Sequence, residues 1–327
     1  MKNILLTYDY EVFFVKFGSV DNSLLIPTNE LVKKMNDYSM KGTFFIDVLF
    51  MDYLRRQGSL EDFNRIVEQL RSIVAAGHRI ELHLHPHWVD THNYDVDFSR
   101  YRLHDFSEEQ QSELFECGLE ILHNVTHGED SKYKVKAYRA GGWCIQPFDR
   151  IKKTFKKFNI KIDSSVAYGM YQKTDSHFFD FRHVPEREWY NFEENVEKEY
   201  IDGDFIEIPI STFETTPFEK LYKRWIAKRD RDSIVRYGDG YGMSVHRWML
   251  LKKLFESRAM FSFDGIFDVE NMIRKVDNYK LRTVNFISHP KNLTNYSVLF
   301  LDDLYKSNNQ FYTVYEYFYK YVKDGLQ

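Results

Sequence analysis

Residues 79–88 read RIELHLHPHW, in which a strand pattern at 79–84 leads without a break into a cluster of three histidines. A helix pattern precedes it at 60–76, where apolar side chains recur every three to four residues, and Gly77 separates the two. Similar strand patterns occur at 4–8, 43–48, 134–138 and 160–162, with helix patterns at 27–41 and 148–158. Strands that alternate with helices along the chain predict a parallel sheet or a β/α barrel.

The alternation is interrupted in the middle of the chain. Residues from about 168 to 245 are rich in aromatic and charged side chains, with a strand pattern at 205–210 and a helix starting near Pro217. We interpret this stretch as an insertion after the fifth strand. Strand and helix patterns return at 248–256, 260–263, 269–276 and 283–287, and an aromatic helix pattern follows at 311–323. Because no repeat or linker is evident, we predict a single α/β domain over residues 1–327.

The composition indicates which binding partners and which cellular location to expect. The 45 Lys and Arg are balanced by 49 Asp and Glu, so the net charge is −4 and no basic face for nucleic acid is predicted. The apolar run at 4–6 is too short for a signal peptide or a membrane span. We therefore expect a cytoplasmic protein with no membrane span. The two cysteines, Cys117 and Cys144, provide no disulfide framework.

Polar side chains follow several of the predicted strands at the point where each strand ends. Asp9 follows the first strand, the histidines follow the third, and Arg139, Asp163 and His289 follow three later strands. In β/α folds the carboxyl ends of the parallel strands form the active face. The sequence therefore predicts one site that draws on five strands.

The histidine cluster is the most specific signal for a metal. His83 and His87 are four residues apart and would share a face on a helical turn, whereas His83 and His85 would share a face on an extended strand. Both geometries suit zinc or a similar ion, and the sequence leaves the choice open.

These residues occur in motifs that resemble, in order, those of the NodB-homology polysaccharide deacetylases of carbohydrate esterase family 4. The motifs are TYDYE at 7–11, GHRIELH at 77–83 followed by His87, RAGGW at 139–143, DSS at 163–165, and His289 after the strand at 283–287. The resemblance spans about residues 4 to 290. The variant HLHPHW at 83–88 is similar to a divergent branch, the deacetylases of bacterial O-antigen and capsule biosynthesis.

The resemblance implies a distorted (β/α)7 barrel and a metal-dependent hydrolase that removes an acetyl group from an N-acetylated sugar or polysaccharide precursor. It implies a divalent metal, zinc first and cobalt, nickel or manganese as alternatives, held by His83 and His87. Asp9 would act as the base toward metal-bound water, oriented by Arg139. His289 would protonate the departing amine, tuned by Asp163.

The motifs depart from the family pattern at two places. Tyr10 stands where the family has a second Asp that binds the metal, so Glu11 is expected to supply that carboxylate, with Asp9, His85 or water as alternatives. Gly141 and Trp143 replace the Pro and Gly of the third motif. A backbone N–H near Gly142 is expected to hold the developing oxyanion. Trp143 and Trp88 are expected to contact the sugar.

Two other functions remain open at this level. A metal hydrolase of another C–N bond, similar to the amidohydrolases, would carry its His-x-His on the first strand, whereas the cluster here follows the third. A catalytically degenerate protein that binds glycan is the second alternative, and Tyr10 is its main support. Because Asp9, Arg139 and His289 are all present together with the histidines, the sequence favours an active enzyme.

Overall fold

A computed structural model of the protein describes residues 1–93, 95–229, 231–242, 254–266 and 268–323. The helix predicted at 248–256 lies largely outside the described residues, which begin again at 254.

One curled sheet organises the fold. Its strands in chain order are β1 (Asn3–Tyr10), β2 (Gly42–Asp47), β3 (Arg79–Leu84), β4 (Ala137–Ala140), β5 (Ile162–Asp163), β8 (Tyr190–Phe192), β9 (Phe205–Glu207), β12 (Thr283–Ser288) and β13 (Gln310–Phe311). The strands lie in the order β12-β1-β2-β3-β4-β5-β9-β8, and every neighbouring pair from β12 to β9 is parallel. The path from β12 to β9 thus contains the seven parallel strands that a distorted (β/α)7 barrel requires.

The sheet curls until its two ends meet. The backbone N–H of Ser211, just after β9, donates to the carbonyl of Asn285 in β12 at 2.9 Å, and Phe261 N–H donates to the carbonyl of Ser211 at 2.8 Å. The side-chain amide of Asn285 reaches back to Ser164 after β5 at 3.2 Å. The predicted α/β barrel class is therefore confirmed.

Most of the helices cover the outer face of the sheet, and the last of them packs in the inner cluster. They are α1 (Ile26–Asp37), α2 (Val48–Arg56), α3 (Leu60–Ala75), α4 (Glu108–Thr126), α5 (Lys152–Phe158), α6 (Pro217–Arg229), α7 (Val269–Asp277), α8 (Asn295–Lys306) and α9 (Val314–Tyr317). Ser107 caps α4 in a reciprocal capping box with Gln110. Among the described residues no helix is both long enough and apolar enough to cross a bilayer.

The sequence placed the strand at 205–210 inside the insertion, and that assignment is wrong. β9 (Phe205–Glu207) is the sixth parallel strand of the barrel, with Ile206 in register with Ile162 of β5. Periodicity finds such a strand but cannot say which sheet it joins. The connection between β5 and β9 holds β8 and the hairpin of β6 (Tyr171–Lys173) and β7 (Phe178–Asp180). A second small pair, β10 (Thr212–Glu214) with β11 (Arg258–Met260), follows β9.

Side chains alternate between the two faces of the strands and so divide the core in two. Ile4, Leu6 and Tyr8 of β1 pack in the large cluster under the outer helices. Leu5 lies in a separate inner cluster with Phe45 and with Val314 and Tyr317 from the C-terminal segment. That segment closes the inner space at the amino ends of the strands, which leaves the carboxyl ends for the polar residues.

Candidate metal centre and active site

The end of β1 places two carboxylates on the inner face. Asp9 and Glu11 are two residues apart in extended backbone and therefore point the same way, whereas Tyr10 points to the outer face. The Tyr10 hydroxyl donates to Gln69 of α3 at 2.7 Å. Tyr10 is therefore a core residue. Glu11 supplies the inward carboxylate where the family motif has its second Asp.

Strand register aligns the polar residues of the next three strands. Asp47 of β2 is in register with His83 of β3, which is in register with Arg139 of β4. Residues in register on parallel strands share a face, so all three point inward. All three are buried, and Asp47 accepts from the indole N–H of Trp88 at 2.6 Å. Asp47 was missed in the sequence, although it too ends a strand.

Glu11, His83 and His85 form the group best suited to hold a metal. One carboxylate oxygen of Glu11, Oε2, lies 3.1 Å from His83 Nε2 and 2.5 Å from His85 Nε2. One potential ligand atom from each of the three residues lies within 4.8 Å of the others, and all three side chains are buried. Two imidazoles and a carboxylate are the donor set that zinc and similar ions favour.

The pairing of His83 with His87 that the motif predicted does not correspond to this group, because His85 takes that place. The chain stays extended through His85, so His83 and His85 share a face, and Pro86 then starts a short 3-10 helix that turns His87 aside. The rings of His85 and His87 are 5.5 Å apart between centroids. Both ring nitrogens of His87 are buried and have no hydrogen-bond partner among the described residues. A role for His87 as a further ligand stays a prediction.

Lys291 is a component of the site that the sequence did not indicate. Its ammonium donates to Glu11 Oε1 at 2.7 Å and to the backbone carbonyl of Val12 at 2.8 Å. It also lies 4.4 Å from the centroid of the Phe14 ring. The two oxygens of Glu11 are thus divided, with Oε2 toward the histidines and Oε1 toward Lys291. The position of Lys291, two residues after His289, was the available signal.

Arg139 and Asp9 form a fully buried ion pair. Arg139 Nη1 donates to Asp9 Oδ1 at 2.7 Å, the contact that the sequence led us to expect. The guanidinium also donates to the Ser164 carbonyl at 2.7 Å and to the Thr7 hydroxyl at 2.9 Å. One oxygen of Asp9 is therefore fixed, and the other, Oδ2, faces His289 Nε2 at 3.7 Å.

His289 is oriented by Asp264, and the prediction that Asp163 tunes it is wrong. His289 Nδ1 lies 2.6 Å from Asp264 Oδ2, and the His289 backbone N–H donates to the same carboxylate at 2.8 Å. Nε2 then points into the site, 3.6 Å from Glu11 Oε1. Asp264 follows the strand predicted at 260–263, so the rule that found Asp9 would also have found it.

Asp163 points to the other side of the sheet. It is in register with Tyr138, whose side chain packs under the outer helices, and with Glu207 of β9. Asp163 accepts from the Ser165 hydroxyl at 2.7 Å. Burial raises the pKa of both carboxyls, that of Glu207 the more because Asp163 adds negative charge. The two carboxyls lie beside each other on the outer face of the sheet, and Asp163 has no direct contact with His289.

The residues expected to contact the sugar differ in their surroundings. Trp88 is fully buried among aromatic rings and bonded to Asp47, so it has no surface for a sugar and that prediction is wrong. Trp143 is only half buried and stays a candidate. Gly142 has φ 58°, and a Cβ there would lie 2.6 Å from the Tyr101 hydroxyl, so the loop requires glycine. Its role toward an oxyanion stays a prediction.

The charged groups of the site shift the pKa values of their neighbours. Burial opposes ionisation of Glu11, but Lys291 and the two histidines outweigh it and hold its pKa well below the usual value. Burial also disfavours the charged form of His83, yet the nearby carboxylates raise its pKa to about 9. Asp264 likewise outweighs burial and raises the pKa of His289. Burial and His85 lower that of His87, which keeps its imidazole neutral.

A divalent ion fits this donor set. His83 and His85 crowd against one oxygen of Glu11, an arrangement in which an ion can replace the shared protons. The ring nitrogens of His87 are buried without a partner among the described residues, and its imidazole offers a further neutral donor. Carboxylate, imidazole and no thiolate favour zinc or another first-row ion.

No protein-family model and no curated protein sequence matches the chain. Among solved structures, a protein from Mycobacterium smegmatis described as a candidate polysaccharide deacetylase is 14% identical with a TM-score of 0.50, covering 99% of this chain and 90% of its own. A 4-alpha-glucanotransferase from Thermococcus litoralis is 13% identical with a TM-score of 0.52, covering 98% of this chain and 40% of its own. A variant of a peptidoglycan deacetylase from Bacillus subtilis is 11% identical with a TM-score of 0.41, covering 96% and 88%.

Sequence identities of this size are evidence for a shared fold and not for a shared reaction. The structural similarity covers nearly the whole chain. The neighbours carry out more than one reaction on carbohydrates, so the reaction of this chain has to be inferred from its own side chains. The chain therefore has the curled (β/α) barrel fold that polysaccharide deacetylases share, as the order of its motifs predicted.

Proposed function

We propose that the protein is a metal-dependent hydrolase that removes the acetyl group from an N-acetylated sugar or polysaccharide precursor. The proposal rests on one juxtaposition. The donor group of Glu11, His83 and His85 lies beside a carboxylate fixed by an arginine and an imidazole fixed by a carboxylate. Metal-assisted hydrolysis of an amide requires these components within reach of one bond.

Each residue has a definite task in this reaction. A divalent ion held by Glu11, His83 and His85 would polarise the amide carbonyl and lower the pKa of water. Asp9 accepts the proton of the attacking water through Oδ2, since Arg139 occupies its other oxygen. His289 donates a proton from Nε2 to the departing amine, while Asp264 holds Nδ1 and so fixes the tautomer.

The fold and the motif order support the same reaction, because both resemble those of polysaccharide deacetylases. Zinc is the first choice of metal, with cobalt, nickel or manganese as alternatives, and the substrate is a glycan that carries N-acetyl groups. The similarity of the motif variant to the O-antigen and capsule deacetylases remains a prediction about which glycan is used.

Acetate release tests the proposal. The chelated protein should release no acetate from N-acetylglucosamine oligomers, and addition of zinc, cobalt, nickel or manganese should restore release. Asp9→Asn should reduce the rate by about 10²- to 10⁴-fold, the usual contribution of a general base, while the metal still binds. Asp62→Asn, on the exposed face of α3, is the matched control and should leave the rate unchanged.

Three outcomes would contradict the proposal. Acetate release that persists undiminished in Asp9→Asn would exclude Asp9 as the base. Two metal equivalents per chain, with hydrolysis of another C–N bond, would favour the reaction of an amidohydrolase. Glycan binding without acetate release under any metal would indicate a degenerate binding protein.

A further inference from the structure

Helix α6 (Pro217–Arg229) presents a row of large apolar side chains to solvent. Phe218, Leu221, Tyr222 and Trp225 are 84%, 48%, 56% and 57% exposed, and no residue of the helix is buried. Their spacing of three and four residues puts them on one side of the helix. Scattered apolar residues are normal at a surface, but a contiguous row of this size marks a surface that contacts something else.

The opposite side of α6 holds the helix on the body of the protein through polar contacts. Glu219 pairs with Lys275 of α7 at 2.9 Å. Lys220 donates to the backbone carbonyl of Glu256 at 2.8 Å. These contacts orient the helix so that the apolar row faces outward.

The outward side of α6 is also positively charged. The helix carries five cationic residues, Lys220, Lys223, Arg224, Lys228 and Arg229, against the single acid Glu219. Glu219 is neutralised by Lys275, so no acid of α6 offsets Arg224 and Lys228 on the outward side. Arg224 and Lys228 are exposed beside the apolar row, and the Arg229 guanidinium lies 5.3 Å from the centroid of the Trp225 ring.

We propose that the outward side of α6 binds the surface of an anionic lipid bilayer. Phe218, Leu221 and Trp225 would enter the boundary between headgroups and acyl chains, and Arg224 and Lys228 would contact lipid phosphates. An apolar row bordered by Lys and Arg is the surface that such helices present, with Trp and Tyr at the level of the headgroups. A helix of 13 residues is about 20 Å long, too short to span a bilayer and suited to lie in its surface.

Two other occupants fit the charges less well. In a symmetric pair of copies the same patch would face itself, so two surfaces that both carry Arg224 and Lys228 would meet and repel each other. A sugar would need polar side chains to pair with its hydroxyls, whereas Phe218 and Leu221, at the N-terminal end of the row, have no polar atoms beyond the backbone. An anionic bilayer offers phosphates to the cations and acyl chains to the apolar row.

Vesicle sedimentation tests the proposal with the full chain. The wild type should bind vesicles of phosphatidylglycerol and phosphatidylcholine, and vesicles of phosphatidylcholine alone at least about fivefold less well, since each Lys or Arg contributes about that factor at an anionic surface. Added salt should weaken the binding. The double variant Phe218→Ser/Trp225→Ser should lose at least about tenfold in partition coefficient. Arg224→Gln/Lys228→Gln should lose roughly fivefold per charge.

A matched control changes equally exposed side chains elsewhere. Tyr200 and Ile201 are 57% and 81% exposed in the segment between β8 and β9, and Tyr200→Ser/Ile201→Ser should bind anionic vesicles as the wild type does. All variants should keep the circular dichroism spectrum of the wild type. The proposal does not depend on the deacetylase reaction, since it is scored on lipid binding alone.

Several results would overturn the proposal. One is a wild type that ignores anionic vesicles, or α6 variants that bind them as well as the wild type does. A second is a concentration-dependent dimer in light scattering that Phe218→Ser/Trp225→Ser dissociates, because a second copy would then cover the row. A third is binding of N-acetylated glycan without vesicles that the same variant abolishes.

Discussion

The buried ion pair between Arg139 and Asp9 makes the most direct prediction about stability. Replacing Arg139 by Met removes donors to Asp9, Ser164 and Thr7 and a stacking contact 4.2 Å from the Phe45 centroid. The carboxylate of Asp9 then stays buried without its cation. Removing one partner of a buried pair reduces the free energy of unfolding by about 3–5 kcal/mol. We expect a loss of that size for Arg139→Met in the presence of a chelator, which keeps metal binding out of the measurement.

Urea unfolding followed by both fluorescence and circular dichroism measures this loss. The double variant Asp9→Asn/Arg139→Met should lose less free energy of unfolding than the sum of the two single losses, by about 1.5–3 kcal/mol. The reason is that the double variant leaves no unpaired buried charge. Arg65→Met is the matched control, because its pairs with Asp21 and Asp62 are partly exposed to solvent and each should contribute only about 0–1 kcal/mol. A loss below about 1 kcal/mol for Arg139→Met, or strict additivity in the double variant, would refute the reasoning.

Four further predictions follow from the same contacts. Lys291→Met should weaken zinc binding measured by calorimetry by about 10- to 100-fold, because Glu11 loses the donor that positions it, and Lys291→Arg should retain most of the affinity. Asp264→Asn should slow acetate release by about 10²-fold and move the optimum of the kcat–pH profile to lower pH, since the Asp264 carboxylate raises the pKa of His289; an unchanged profile would contradict that role. Trp88→Phe should reduce the free energy of unfolding by about 1–3 kcal/mol, because the carboxylate that accepts its indole N–H loses a buried donor. The pKa of Glu207 is raised in the folded state, so wild-type stability should fall as pH rises above the ordinary carboxyl range, and Glu207→Gln should flatten that fall in urea titrations.

The strands and the order of the site residues were predictable because both depend on local pattern. β3 (Arg79–Leu84) was placed to the residue, and β12 (Thr283–Ser288) to within one, since a buried apolar run that ends in a polar residue defines its own limits. The meeting of Asp9 with Arg139 and His289 followed from the rule that parallel strands end on one face.

The errors arose where the direction of a side chain decides its partner. His85 rather than His87 joins Glu11 because the chain remains extended for one residue beyond β3, which spacing alone left open. Asp163 was assigned to His289 from motif order, but its register with Tyr138 turns it to the outer face. Asp264 was overlooked because no motif contains it, although it lies at a strand end.

The arrangement of contacts around Glu11 also depends on long-range packing that the sequence does not display. Lys291 reaches Glu11 across 280 residues of chain, and its ammonium lies 4.4 Å from the centroid of the Phe14 ring. A lysine near a predicted cation site would ordinarily argue against that site. The structure shows instead that Lys291 binds Oε1 of Glu11, whereas His83 and His85 lie at Oε2.

Anomalous diffraction from crystals soaked in zinc tests the central claim most directly. We predict one strong peak about 2.0–2.2 Å from a carboxylate oxygen of Glu11 and from imidazole nitrogens of His83 and His85, with Asp9 and His289 beside it. A peak bound elsewhere in the protein, or no peak near Glu11 under saturating zinc, would contradict the metal site and with it the proposed hydrolysis.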